Sequence, residues 1–383
     1  MNRRFGRMAL GALAALLICL APAAHADAST DGPYVAPAPK GGWVARWSDG
    51  EGEDAKARSL AIAPGERLRV ESVGAVPAFE VTLRPPAQTA PDAIHLESDA
   101  PLFVVADIHG EYDILVELLR NQKIVDARLR WAFGRGQVVF LGDVFDRGAH
   151  QLEVLWLIYQ LQGEAAAAGG DVEFLLGNHE LMALRGDARY LHPRHAATVK
   201  ALGAKSYADL FDGRSVLGQW LRTRASVLRV GDALFLHGGI SPEAVERGFM
   251  PTRLSRAIRE VLAGSADPAQ SQFHEFAIRS YGPLWYRGYF SRDGAPPEAS
   301  ADEVDAIRRA LGVRAIFVGH TALSQVTPLF DGRVIAVQIY PERDAETGVA
   351  VMGAVRREQG RWYRAGVDGS RVPMQVAPRA DGT

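Results

Sequence analysis

Five short clusters in this 383-residue chain combine carboxylates, imidazoles and glycines in a pattern suited to metal chemistry. Asp107-Ile108-His109-Gly110 offers a carboxylate and an imidazole from one segment. Gly142-Asp143-Val144-Phe145-Asp146-Arg147-Gly148 offers two carboxylates and a guanidinium. Gly177-Asn178-His179-Glu180 adds an amide oxygen and an imidazole, and His237-Gly238-Gly239 and Gly319-His320-Thr321 add one imidazole each. Mixed Asp, Asn and His donors suit borderline-to-hard ions such as manganese, iron or zinc. Taken singly, each cluster is weak. Asp-x-His is common in structural loops, Gly-Asp is a common turn, and His-Gly-Gly could line an oxyanion hole. That last use needs a serine on a Gly-x-Ser-x-Gly elbow, which the chain lacks.

Position gives the clusters their weight. Each closes a short apolar run: Leu102 to Val105, Gln137 to Leu141, Val172 to Leu176, Ala233 to Leu236 and Ala315 to Val318. Runs of four or five apolar residues without polar alternation read as strands buried on both faces. Helical patterns over Ile114 to Leu119 and Leu152 to Leu161 separate the first three. Strands alternating with helices predict an α/β fold with at least partly parallel strands. Ligands in open α/β sheets bind beyond the carboxyl ends of the strands, and all five clusters stand there. Further strands are expected over Val334 to Ile339, Val349 to Val355 and Trp362 to Val367, with Asp331-Gly332 as a turn.

The flanks read differently. Arg3, Arg4 and Arg7 precede an apolar stretch from Met8 to Ala23, and Ala24-His25-Ala26 has the small-x-small form of a signal-peptidase site. A spanning helix needs about 20 apolar residues, so residues 1–26 are expected to be a cleaved signal peptide and the mature protein periplasmic or secreted, with no stable membrane anchor. Cys19, the one cysteine, would leave with it, so disulfides have no part in the mature fold. Residues 27–98 are expected to form an N-terminal β-rich module and linker, either a unit of its own or an extension of the main sheet. Within it Asp31 to Lys40 reads as a loose leader, and Trp43 to Trp47, Arg67 to Glu71 and Phe79 to Leu83 read as strands. Residues 99–375 would be the catalytic domain. Residues 181–229 carry apolar positions at helical spacing (Tyr207, Leu210, Phe211, Leu217, Trp220, Leu221) beside Arg185, Arg189, Tyr190, His192 and His195. They predict a helical lid whose arginines could face substrate, with His192 and His195 on its surface. The formal net charge of −2 gives no basic excess for a nucleic-acid partner.

The ordered motifs Asp-x-His-Gly, Gly-Asp-x-x-Asp-Arg-Gly, Gly-Asn-His-Glu, His-Gly-Gly and Gly-His resemble those of the calcineurin-like metallophosphoesterases and, within them, the PPP-type protein phosphatases. His237 to Pro242, Leu284 to Tyr289 and Gly186 to Tyr190 resemble the branch called Shewanella-like phosphatases. The resemblance implies a β-sandwich core flanked by helices and two divalent or trivalent metal ions, manganese foremost, with iron or zinc as alternatives. It implies Asp107 and His109 on the first metal, Asp143 bridging, and Asn178, His237 and His320 on the second. Ala322 stands where many relatives have a further histidine, leaving the first metal three protein ligands. It further implies in-line attack on phosphorus by a water shared between the metals. Arg147, Asn178 and Arg287 would hold phosphate, and His179, oriented by Asp146, would protonate the leaving oxygen. The expected activity is phosphomonoester hydrolysis on phosphorylated Ser, Thr or Tyr in proteins or peptides. The alternatives are an exported nucleotide or other small phosphoester and, as a non-enzyme reading, a binding protein on a phosphatase fold.

Overall fold

The computed structural model describes residues 30–85, 94–96, 99–292 and 294–378; the predicted signal segment and residues 86–91 of the predicted linker lie outside them. Strands β1 (Thr30–Pro37), β2 (Trp43–Asp49) and β3 (Lys56–Ile62) form an antiparallel sheet, and β4 (Leu68–Val70) pairs with β5 (Phe79–Val81). The chain then runs through β6 (Ile94–Leu96), β7 (Leu102–Val105), α1 (Tyr112–Asn121), β8 (Gln137–Phe140), α2 (Gln151–Ala167), β9 (Asp171–Phe174) and α3 (Asn178–Leu184). Helices α4 (Pro193–Ala201) and α5 (Val216–Arg222) precede β10 (Val227–Val230) and β11 (Ala233–Leu236). Four helices follow: α6 (Pro242–Glu246), α7 (Pro251–Ala263), α8 (Ser271–Ile278) and α9 (Ala301–Leu311). The remainder is β12 (Ala315–Val318), β13 (Thr327–Leu329), β14 (Val334–Ala336), β15 (Glu342–Arg343), β16 (Ala350–Val351), β17 (Ala354–Glu358), β18 (Arg361–Ala365) and β19 (Arg371–Met374).

Two six-stranded sheets face each other. One has the order β19-β18-β17-β7-β8-β9, the other β13-β14-β12-β11-β10-β6. Strands β7, β8 and β9 are parallel, as are β11, β12 and β14. Because successive side chains point to opposite faces, Leu102, Val104 and Val139 enter the layer between the sheets with Phe235, Phe317 and Trp362. Phe103, Val105, Val138 and Phe140 join the second core, to which helices α1 and α2 contribute. Burial on both faces explains why these strands read as unbroken apolar runs. Helix α2 is buried all round from Gln151 to Leu161, as expected of a helix covered on both sides. One side meets β9; the other meets β1 and β5.

The N-terminal strands therefore share the main core. The Trp156 indole donates to the Pro33 carbonyl at 2.9 Å, Tyr34 packs edge-on against Phe211, and β6 pairs in parallel with β10. The stretch expected to be a loose leader is strand β1. The predicted strand over Val349 to Val355 divides into β16 and β17 around Gly353, where a Cβ would collide with the Val337 carbonyl. The region 181–229 is helical through Arg222 and then becomes β10, a strand of the second sheet. His195 is fully buried, contrary to the expected surface position, because Asp31 of β1 accepts from its Nδ1 at 2.8 Å. Among the described residues no helix is long and apolar enough to cross a membrane.

Candidate active site

Loops after β7, β8, β9, β11 and β12 converge at one end of the sandwich and bring together Asp107, His109, Asp143, Asn178, His179, His237 and His320, all buried. Five residues there have left-handed backbones although they are not glycine: His109 (φ 47°), Asp143 (53°), Asp146 (70°), Arg147 (68°) and His320 (62°). Each such residue costs about 1–3 kcal/mol and persists only where its surroundings hold it. The surroundings are visible. Glu180 accepts from the backbone N–H groups of Asp143 (2.8 Å), Val144 (2.8 Å), Phe145 (3.3 Å) and Gly177 (2.7 Å). Gln338 Oε1 accepts from Asp107 N at 2.8 Å, and Asp107 Oδ1 accepts from His320 N at 3.0 Å. Gly319 has to be glycine, since a Cβ would stand 2.6 Å from Asp107 Oδ1.

The imidazoles are aimed by their outer nitrogens. His109 Nδ1 donates to the Phe145 carbonyl and His237 Nδ1 to the Leu141 carbonyl, both at 2.9 Å. Each thereby turns Nε2 inward, the arrangement typical of metal-ligating histidine. Two tight clusters of donor atoms result: His109, Asp143 and His179, and Asp143, His237 and His320. Asp143 belongs to both. Its Oδ2 lies 3.1 Å from His237 Nε2, 3.9 Å from His179 Nε2 and 4.0 Å from His109 Nε2. Asn178 Oδ1 lies 2.8 Å from His237 Nε2, and His320 Nδ1 3.2 Å from it. Asp107 stands beside both clusters, 3.9 Å from His109 and 3.8 Å from His237.

The electrostatics fit a cation. Burial pushes the Asp107 carboxyl up to about 6 and the His109 imidazole down to about 4. Burial, with His237 and Arg287 nearby, also carries His320 well below the usual range, so His109 and His320 keep free lone pairs at neutral pH. Burial opposes charge on His237 as well, but Asp143 and Asp107 outweigh it and raise it to about 9. A bound cation would displace that proton. His179 follows the same logic: burial works against its charge, yet Asp143 and the hydrogen-bonded Asp146 raise it overall. Its Nδ1 meets Asp146 Oδ2 at 2.6 Å, leaving Nε2 to face the site.

Both arginines reach the rim. Arg147 is exposed; its backbone N–H donates to the Tyr190 carbonyl at 2.8 Å and its guanidinium carbon lies 5.4 Å from the Tyr340 ring centre. Arg287 is half-buried, with Nη1 donating to the His320 carbonyl (3.1 Å) and Thr321 Oγ1 (2.9 Å) and Nη2 3.5 Å from His320 Nδ1. Its place follows from two segments docking: Gly238 N donates to the Pro283 carbonyl, and the Tyr289 hydroxyl bonds both backbone groups of Ile240. Of the arginines expected in the lid, Arg185 is exposed and Arg189 pairs with Asp187 at 2.7 Å. Sequence reading gave no role to Glu180, Gln338 or Gln151, nor to Tyr340. Glu180 stands inside a recognised motif, whereas the others carry no local signal.

This arrangement agrees with comparison to known proteins. Residues 100–323 match the profile of the calcineurin-like phosphoesterases. The chain belongs to that family. Its relatives include Shewanella-like protein phosphatase 2 of Arabidopsis thaliana, 25% identical over 314 residues that cover 69% of this chain and 77% of the relative. A symmetrical bis(5'-nucleosyl)-tetraphosphatase of Neisseria meningitidis is 26% identical over 182 residues, 47% of this chain and 55% of that one. Among solved structures, a cold-active protein-tyrosine phosphatase of a psychrophilic Shewanella species superposes with a TM-score of 0.75 at 34% identity, covering 90% of this chain and 99% of that one. This phosphoesterase is therefore a hydrolase of a family that works with two metal ions, and its His/Asp clusters could hold them.

Proposed function

We propose that this phosphoesterase hydrolyses phosphotyrosine in exported proteins or peptides. The observation that carries the reading is a pair of exposed tyrosines at the mouth of the site. Tyr340, 37% exposed, stacks on His109 with ring centres 6.2 Å apart; Tyr190, 49% exposed, leans on His179 at 5.5 Å. An aryl ring entering between them meets aromatic faces, and aromatic pairs contribute about 0.5–1.5 kcal/mol each beyond buried area. Similarity to the Shewanella protein-tyrosine phosphatase supports the same choice.

Asp107, His109 and Asp143 would hold one ion and Asp143, Asn178, His237 and His320 the other; their mixed N and O donors suit manganese, with iron or zinc as alternatives. Two such ions, when bound, polarise phosphoryl oxygens and acidify water. Arg147 and Arg287 clamp the outer phosphoryl oxygens, and guanidinium suits that bidentate task. Asn178 adds a polar contact to the same group. His179 delivers the Nε2 proton to the leaving tyrosyl oxygen, while Asp146 holds Nδ1–H and keeps the ring facing inward. Export to the periplasm or beyond rests on the signal-like first 26 residues.

The test is a panel of kcat/KM values for one peptide carrying phosphotyrosine or phosphothreonine, and for diadenosine tetraphosphate. Phosphotyrosine is expected to lead by about tenfold, a margin that shrinks in the Tyr190→Ala/Tyr340→Ala double variant, as two stacking contacts would give. A lead for diadenosine tetraphosphate would replace this reading with the nucleotide one.

A further inference from the structure

The support of Asp146 extends far beyond the catalytic loops. Asp146 Oδ2 holds His179, but its Oδ1 is buried with no hydrogen-bond partner among the described residues. The aim of this carboxylate therefore depends on the backbone of a left-handed residue (φ 70°). That backbone is tied down by Gln151, whose Oε1 accepts from Asp146 N at 2.7 Å. Gln151 opens helix α2 and is fully buried. Its Nε2 donates to the Tyr207 hydroxyl, and the Tyr207 ring packs with that of Tyr34 on the shared neighbour Phe211. Tyr34 in turn donates to Asp31 Oδ2 at 3.2 Å.

Donor counting gives the chain a direction. The Gln151 amide is fixed, since its oxygen faces an N–H. Tyr207 then accepts from Gln151, while Tyr34 gives its proton to the Asp31 carboxylate. Asp31 also accepts from His195 Nδ1 (2.8 Å) and Thr198 Oγ1 (2.5 Å) of helix α4. Asp31, Tyr34, Gln151, His195, Thr198 and Tyr207 are all buried. The same tyrosine packs on the turn itself, with Phe145 6.3 Å from Tyr207 and 5.1 Å from Phe211. Buried hydrogen bonds of this kind, where the local dielectric is low, hold their partners in one geometry.

We infer that Gln151, Tyr207, Tyr34 and Asp31 are positioning residues for the Asp146–His179 pair, which makes the N-terminal strand β1 a working part of the phosphatase site. The inference rests on His179 as the proton donor of the proposed reaction. A loosened Gln151 lets the Asp146 peptide relax from its left-handed conformation, and the carboxylate swings off His179. The consequence is specific. Substrates with a poor leaving group need a proton donor; those with a good one hardly do.

The experiment compares Tyr207→Phe with wild type in the metal-saturated full chain, using phenyl phosphate and p-nitrophenyl phosphate. A general acid contributes about 10²–10⁴-fold; a misaimed one is expected to lower kcat on phenyl phosphate about tenfold, with KM nearly unchanged and p-nitrophenyl phosphate slowed less than about threefold. In metal-free protein, the downfield proton resonance of the His179–Asp146 bond, assigned by its absence in His179→Asn, is expected to move or broaden. Equal slowing of both substrates with the resonance unmoved is what a merely structural role gives, and it overturns the inference, as does wild-type behaviour in both readouts. Should Tyr207→Phe not fold, Tyr34→Phe, one link further out, is read the same way with about a threefold effect expected. If His179→Asn itself slows both substrates alike, the proton-donor assignment has failed, and the resonance alone then decides whether the chain positions the pair.

Discussion

Glu180→Gln changes one atom in the centre of the site, and its cost can be worked out bond by bond. Glu180 is fully buried; burial first, and the nearby Asp143 second, push its carboxyl up to about 7. Its Oε2 accepts from Asp143 N and Gly177 N, its Oε1 from Val144 N and Phe145 N. A glutamine can keep its oxygen on the first pair, where both bonds are short (2.8 and 2.7 Å). The amide nitrogen then faces Val144 N–H and Phe145 N–H, donor against donor. Leaving a buried donor unsatisfied costs about 1–3 kcal/mol, so two, one of them bound at only 3.3 Å, cost roughly 2–5 kcal/mol together. At about 2–4 °C per kcal/mol for a domain of this size, the metal-free protein should melt roughly 5–15 °C lower. The same loop carries Asp143, shared by both donor clusters, so ion affinity should fall by about 10–100-fold, as it does when outer partners of ligands are lost. Circular dichroism melts in chelator and calorimetric metal titration measure the two effects. A melt within 2 °C of wild type (about 1 kcal/mol) together with unchanged affinity would refute the idea that Glu180 holds the left-handed turn.

Two more outcomes follow from the same geometry. Asp143→Asn removes the carboxylate common to both clusters and should lower metal-dependent hydrolysis of p-nitrophenyl phosphate by about 10³-fold or more, a loss that chelator should reproduce in wild type and that added manganese should reverse only there. Burial alone would raise the Asp31 carboxyl, but His195, Arg194 and Thr198 outweigh it and hold it at about 2, below its ordinary 3.8. A depressed acid contributes stability above its unfolded value and loses it on acidification, so about 2 kcal/mol should vanish between pH 4 and pH 2. Urea melts of wild type and Asp31→Asn across that range should show a stability difference that closes as pH falls.

Legibility in the sequence followed burial. Strands β7, β8, β11 and β12 are buried at every residue, so they appear as unbroken apolar runs, and the polar clusters at their ends stood out against them. Strand β3 escaped notice for the opposite reason. Six of its seven residues are exposed, so no buried face imposes a period, and only its pairing with β2 makes it a strand. Strand β1 was hidden by Gly32, Pro33 and Pro37, residues that argue for a loop until the partner strand is known. His195 was misread because its polar partner, Asp31, lies 164 residues away and belongs to that same unseen strand.

The division between what could and could not be read also runs through the site. Residues proposed to do the chemistry are rare types in short motifs, and their nature shows in the sequence. Residues that hold them are common types whose role exists only in space: Gln338 for Asp107, Gln151 for Asp146, Glu180 for the Asp143 turn. Each presents a side-chain oxygen to a backbone N–H just beyond a strand, where the regular ladder has ended. The need is physical. A loop that leaves a sheet and turns left-handed gives up its ladder partners while staying buried, and buried N–H groups must find acceptors. The left-handed turns aim the proposed ligands inward, and at Asp143 and Asp146 the same turns create donors that Glu180 and Gln151 absorb. Strain and its support are thus one design, and substitutions at the supports should disturb ion binding and proton delivery without touching a single proposed ligand.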